Sequence, residues 1–390
     1  MKLQMPKLTF WKAVFVLTML AGLYATFIRF TRGLGGSTHL SDAFPWGIWV
    51  GFDVLCGVML AAGGFTLVLV VEIFNIKRFK PIIRPTVLTA FLGYMLVSVA
   101  LLFDLGKPYN IWHPLIMWNP HSVMFEVGWC VMLYTTVLAL EFAPVVLERF
   151  RQKKMVNLLH KISVPIFLAG VILSTLHQSS LGSVYLIMKG KLHPLWYSPL
   201  LPVFFFISAI AVGLAMTIFE SNMSAKHFHK QLEQPLLTEL GRILLVVLVV
   251  YGVLRFEDLW HRGAFAYLTG FGYEERLFAI EIFLSLLLPI VLLVIPRVRN
   301  HPQGLYVAAV SVVLGFVTNR LNVSITGMEG AAGVRYIPSW MEITVTAMIV
   351  AAGFAVFAMA NRYLPIFVTE SEPEPEKVPA AVAMKAAAGD

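Results

Sequence analysis

Cysteine is nearly missing from this chain. Its 390 residues include only Cys56 and Cys130, both inside apolar runs, which excludes a disulfide framework and leaves no CxxC or Cys/His metal spacing. Iron–sulfur cysteine runs, nucleotide-binding loops and Rossmann glycine patterns are missing as well. Charge is scarce: Asp, Glu, Lys and Arg make up 13% of the residues against 58% hydrophobic ones, a balance that excludes an ordinary soluble domain. No stretch between the apolar runs is long enough to fold alone in water, so any large catalytic domain must sit on another chain. The net charge of +8 is no nucleic-acid signal, because the positives are sorted by side of the membrane.

What is present is ten apolar runs: Phe10–Phe30, Trp46–Asn75, Pro85–Gly106, Ser122–Leu147, Leu158–His177, Pro199–Phe219, Leu236–Trp260, Arg276–Ile295, Leu305–Asn322 and Trp340–Leu364. A bilayer core takes about 20 residues of helix, and lipid tolerates only helices or closed barrels. The expected fold is an all-α polytopic membrane protein with ten transmembrane helices. The first run follows basic residues as in a signal peptide, but it continues without a small-residue cleavage site and reads as a retained helix. Most Lys and Arg, among them Lys2, Lys7, Lys12, Arg84, Arg149, Lys153, Lys161 and Arg299, fall on one side. The positive-inside rule then puts both termini in the cytoplasm. Residues 1–366 read as one integral membrane domain, and 367–390, rich in Pro, Glu and Ala, as a disordered cytoplasmic tail. Asp104 and Asp258, and Glu126 and Glu281, recur at nearly equal offsets. That spacing suggests two parallel repeats, about 46–198 and 199–322, and two four-helix bundles (helices 2–5 and 6–9) with helices 1 and 10 peripheral.

A charged group in mid-membrane costs roughly 2.5–3.5 kcal/mol, so ionisable residues within the runs mark chemistry. Asp53 lies a few residues into the second run, and Glu126 opens the fourth. Asp104 ends the third, His121 precedes the fourth, and His177-Gln178-Ser179-Ser180 closes the fifth. With Trp46 among the surrounding tryptophans, these groups are expected to converge at one depth on the outer side of the helix 2–5 bundle. A flat, lipid-soluble ligand with two carbonyls suits such a place, since its reduction consumes protons that a nearby carboxyl or imidazole relays. A quinone is that ligand. Glu72, Glu141 and Glu220 lie at the opposite ends of their runs, as snorkelling groups or a proton entrance. A b-haem needs two axial histidines at matching depth; His160 and His177 stand at opposite ends of one run, so neither haem nor Fe–S is expected in this chain. No metal site is expected.

The segments FPWGIWVGFDVLCGVMLAAGGF, LLFDLGKPYNIWHP, NPHSVMFEVGWCVMLYTTVLALEFAP and LHQSSLGSVYLIMKGKLHPLWYSPLLP, in that order, resemble the NrfD/PsrC (polysulfide reductase membrane subunit) superfamily, within it the ten-helix HybB-like and DsrP-like branch. The resemblance is strong over Ala43–Glu220 and weaker beyond. It implies a quinone-interacting subunit, without a redox centre of its own, of a respiratory oxidoreductase complex in a prokaryotic inner membrane. It implies menaquinone or ubiquinone as substrate. The implied partners are a periplasmic ferredoxin-like Fe–S subunit and, through it, a catalytic subunit: a nickel–iron hydrogenase or a sulfur-metabolism enzyme with a multihaem cytochrome. The family's proton-transfer acids map by motif onto Asp53 and Glu126, and LHQSS supplies His177 and Gln178. On the residues alone, a secondary transporter and a passive membrane anchor stay open beside this.

Overall fold

The computed structural model describes residues 9–69, 71, 76, 79–228, 234–270 and 272–366. Glu72 and the segment 367–390 lie outside them. Ten helices are long and apolar enough to cross a membrane, and no strand occurs among the described residues. They are labelled α1 (Phe10–Arg32), α2 (Trp49–Val68), α3 (Ile82–Asp104), α4 (Val123–Arg149), α5 (Ser163–Leu186), α6 (Leu201–His227), α7 (Gln234–His261), α8 (Tyr273–Val294), α9 (Pro302–Ala332) and α10 (Trp340–Tyr363). The α1–α2, α3–α4 and α5–α6 connections share one end of the molecule, here the aromatic face. The ends near Arg84, Arg149 and Arg299 form the opposite, basic face.

The packing follows the expected pairing. Helices α2 to α5 close one ring, helices α6 to α9 close another, and α6 joins the two by packing on both α2 and α5. Helix α1 packs along α10, which also leans on α3 and α2. The bundles approach closely where α6 meets α2. A Cβ on Gly213 would stand 2.8 Å from the Ala62 carbonyl carbon and 2.9 Å from the Gly63 nitrogen, so only glycine permits this crossing, as small residues do between helices in lipid.

Helix starts are set by local chemistry. Ser122 Oγ accepts from Phe125 N at 3.3 Å at the start of α4. At α10, Ser339 Oγ accepts from Glu342 N while the Glu342 carboxylate accepts from Ser339 N at 2.8 Å, a reciprocal capping box. Helix α9 stops at Gly333, whose φ of 67° suits a residue without a side chain. A short helix, Lys153–Lys161, precedes α5 with Lys153, Lys154 and Lys161 exposed and Leu159 buried.

Two boundaries differ from the sequence expectation for one reason. Helix α9 runs to Ala332 rather than Asn322, and α5 to Leu186 rather than His177. In both, the polar run that ends the apolar stretch is inside the protein: Asn319, Arg320, Asn322, Ser324 and Thr326 in α9, and His177, Gln178 and Ser180 in α5, are buried. The HQSS run therefore sits inside the bundle, about two turns of helix before the end of α5, not at the membrane edge.

Replacing Gly213 by Leu is expected to cost about 1–3 kcal/mol through overpacking. It should appear as a lower thermal midpoint of the detergent-solubilised protein. Gly330→Leu, where no atom stands within 4 Å of the added Cβ, should leave the midpoint close to wild type.

Candidate functional site

Asp53 is on a π-helical stretch of α2, Trp49–Cys56. Such widened turns recur at functional positions, because the extra residue re-aims a side chain at the cost of regular bonding. Asp53 is only 7% exposed, and its carboxylate accepts a hydrogen bond of 2.8 Å from Thr346 Oγ1 of α10. Sequence reasoning missed Thr346. A lone threonine in an apolar helix carries no signal of its own, and the one clue was its place one turn after the capping Glu342. Above it, Glu342 accepts from the Tyr336 hydroxyl and from His39 N at 3.0 Å, and Tyr336 Oη accepts from Ile48 N at 3.0 Å. Burial, reinforced by the Glu342 contact, pushes the Tyr336 phenol above its ordinary pKa range, so it stays a donor.

Asp53 lines a cavity of about 530 Å³ between α2, α3, α6 and α10. Its walls are almost wholly apolar, with Leu60 and Ala61 from α2, Leu92 and Leu96 from α3, Met216 and Phe219 from α6, and Ile349 and Phe357 from α10. Its other carboxylate is Glu220 of α6, which with Thr89 lies toward the basic face. Glu220 Oε1 and Thr89 Oγ1 are buried without a hydrogen-bond partner. At about 1.5 Å per residue, Asp53 lies roughly 6 Å below the start of α2 and Glu220 roughly 28 Å below the start of α6. The cavity therefore extends through much of the membrane thickness.

The other expected site residues do not share this cavity. His177 and Gln178 belong to a separate buried cluster, one helix layer behind the α2–α3 wall, with Tyr94, Tyr134 and Ser174. The Tyr94 ring stands 4.7 Å from Tyr134 and 5.6 Å from His177, centroid to centroid. Gln178 Nε2 donates to the Val58 carbonyl at 3.1 Å, which ties the cluster to α2. Both His177 ring nitrogens are buried without a protein partner, while the Tyr94 hydroxyl faces Gln178 and the Tyr134 hydroxyl faces Ser174. Buried polar groups in that state are usually met by ordered water.

Asp104 ends α3 on the aromatic face beside Arg29 of α1. That guanidinium donates to the Phe103 and Leu105 carbonyls at 2.7 Å each, and Asp104 Oδ1 has no hydrogen-bond partner. Trp46 is half-buried with its ring 6.1 Å from that of Tyr185. Glu126 and His121 are exposed. The convergence expected of Asp53, Asp104, Glu126, His121 and His177 is thus corrected: they share a side of the membrane, not a pocket. Glu126 falls on the outward stripe of α4, beside the Trp118, Phe125 and Trp129 aromatic group.

The second bundle holds a polar network that sequence reasoning did not assemble. Glu281 of α8 accepts from Trp196 Nε1 at 2.7 Å, Asn319 Nδ2 at 2.7 Å and Asn322 Nδ2 at 2.8 Å. Arg320 donates to Asn319 Oδ1 at 2.7 Å and Ser208 Oγ at 2.6 Å, with its guanidinium 3.6 Å from the Phe205 ring centroid. Asp258 pairs with Arg262 at 2.6 Å and accepts from Ser198 at 2.7 Å. Among the described residues, no group of His, Cys, Asp and Glu is arranged to hold a metal ion.

The arrangement is that of an all-helical membrane protein with an acid-tipped, lipid-compatible cavity. The family pattern described as "Polysulphide reductase, NrfD" matches residues 36–330, and the chain belongs to that family. It is 40% identical over 359 residues (89% of this chain, 92% of the relative) to a protein of Nitratidesulfovibrio vulgaris. It is 34% identical over 343 residues, 87% of both chains, to the "Probable Ni/Fe-hydrogenase 2 b-type cytochrome subunit" of Escherichia coli. A third relative, the "Menaquinone reductase, integral membrane subunit" of Nitratidesulfovibrio vulgaris, is 31% identical over 399 residues (94% and 93%).

Removing the Glu281 carboxylate leaves three buried donors without their acceptor, at about 1–3 kcal/mol for each orphaned group. Glu281→Ala is expected to lower the yield and thermal midpoint of the folded protein sharply. Glu281→Gln, which keeps one acceptor oxygen, should lose less; equal midpoints for both variants and wild type would show the network to be dispensable.

Proposed function

We propose that this chain is the quinone-interacting membrane subunit of a respiratory oxidoreductase complex, and that the quinone ring binds at the Asp53 end of the cavity. The observation that carries the proposal is a carboxylate held by a single hydroxyl at one tip of a membrane-embedded cavity whose shaft is apolar, with Glu220 at the far end. A quinone ring is uncharged and enters through lipid. Its reduction to a quinol takes up a pair of electrons and a pair of protons, and Asp53 is placed to hand protons to a ring oxygen. The relatives' membership of hydrogenase and menaquinone reductase assemblies supports the same chemistry.

The remaining polar residues are arranged around that site. His177 and Gln178, with Tyr94, Tyr134 and Ser174, form a hydrated reserve of exchangeable protons behind the α2–α3 wall rather than direct contacts to the ring. Glu126 and His121 belong to the aromatic face. That face carries exposed Tyr109, Trp112, Ile116, Met117 and Trp118 and is the docking surface for a periplasmic ferredoxin-like Fe–S subunit, through which electrons pass to or from a catalytic subunit. The basic face then lies in the cytoplasm of a cell with an inner membrane, with both termini on that side.

In the isolated complex, Asp53→Asn is expected to cut quinone-linked turnover about a hundredfold or more while an artificial dye still exchanges electrons with the catalytic subunit. Unchanged quinone turnover in that variant would overturn the assignment. Trp118→Ser should lower recovery of the Fe–S subunit in affinity co-purification without loss of this chain from the membrane; full recovery would move the docking surface elsewhere.

A further inference from the structure

Helix α10 lies outside the residues matched by the family pattern, which end at 330. Yet it supplies Thr346, the hydroxyl that bonds Asp53, and one whole wall of the cavity through Ile349, Val350, Gly353, Phe354, Phe357 and Ala358. Without it, the groove between α2, α3 and α6 would face lipid directly. We propose that α10 turns this groove into a slot for the isoprenoid chain of the quinone, and so makes the subunit selective for long-chain quinones over chain-free ones. The proposal rests on the quinone reading above and adds the part of the substrate recognised.

The chemistry of the cavity favours that occupant. The shaft between the two polar ends is apolar and offers water too few partners to hold it, so in a membrane it fills with hydrocarbon. About 530 Å³ falls within the range of pockets that bury most of a ligand. Two hydrocarbon sources exist, a phospholipid acyl chain and an isoprenoid chain. A phospholipid headgroup is charged and stays at the membrane surface, whereas the polar end of this cavity, Asp53 with Thr346, is buried below it. An uncharged ring that carries a long chain fits both the sunken polar tip and the apolar shaft. At the far end, Glu220 and Thr89 bring unpartnered polar atoms to the cavity and set the limit of the hydrocarbon shaft. Phe354, 66% exposed on α10, stands at the rim where a chain would enter from lipid.

The test uses the whole complex in lipid nanodiscs, assayed with menaquinone and with a methylnaphthoquinone that has no side chain. Leu92→Trp and Val350→Trp fill the shaft from opposite walls, Val350 one helical turn below Thr346. In each, kcat/KM for menaquinone relative to the chain-free analogue is expected to fall by about tenfold or more, as for a pocket that no longer admits its apolar group. Turnover of the chain-free analogue reports that the variant has folded. A ratio equal to wild type in both variants overturns the slot while the quinone site stands. A wild-type complex that turns over neither compound overturns the quinone reading and the slot with it. Mass spectrometry of the purified wild type adds a direct readout: prenyl quinone displaced from the complex by the tryptophan variants supports the slot, and a phospholipid displaced in its place refutes it.

Discussion

The architecture depends on one carboxylate. In hydrocarbon there is no water to satisfy a stray donor, and Glu281 gathers three of them, from the α5–α6 connection and from two positions on α9. Arg320 extends the circuit to α6 through Ser208 and the Phe205 carbonyl. Helix α6 is thereby held on the side of the second bundle, and its other side, with Met216, Phe219 and Glu220, lines the cavity. This bonded circuit fixes one wall of the space in which the chemistry is proposed.

The first bundle is built on the opposite plan. Its core holds imidazole, amide, hydroxyl and phenol groups with few partners in the protein. Such groups are costly to bury unmet and are usually met by ordered water. The pairs that recur along the chain show the contrast: Asp258 is doubly engaged by Ser198 and Arg262 while Asp104 keeps an oxygen free, and Glu281 is buried where Glu126 is exposed. Positions alike in spacing have been given different work, one bundle for rigidity and the other for proton-bearing groups.

The helix count and the grouping into two bundles were legible in the sequence, because lipid forces each spanning segment to be long and apolar. The ends of α5 and α9 were not. Hydropathy reads a polar run as the start of a loop, and the groups that keep Asn319, Asn322 and Arg320 inside a helix come from residues far away in the chain. Asp53 stands out in the sequence as a charge without an evident partner, and it is one of the two acids, with Glu220, that line the cavity. The place of Glu126 was misjudged for a simple geometric reason: near the start of α4, a shift of one or two residues on the helical wheel separates an inward carboxylate from an outward one. The repeat spacing leaves helix α10 outside both bundles, so the sequence presents it as peripheral. Its contribution comes through a single hydroxyl and a wall of ordinary side chains, neither of which has a motif.

The short helix Lys153–Lys161 has a mechanical consequence. Its lysines point away from the protein, and Met155 and Leu158 are exposed beside them, the composition of a segment that floats at a boundary between headgroups and acyl chains. Anionic lipid attracts such lysines by about 1 kcal/mol each. Attached directly to α5, such a float would act as a plumb line for the bundle, and so for the level at which a molecule diffusing in the bilayer meets the cavity mouth.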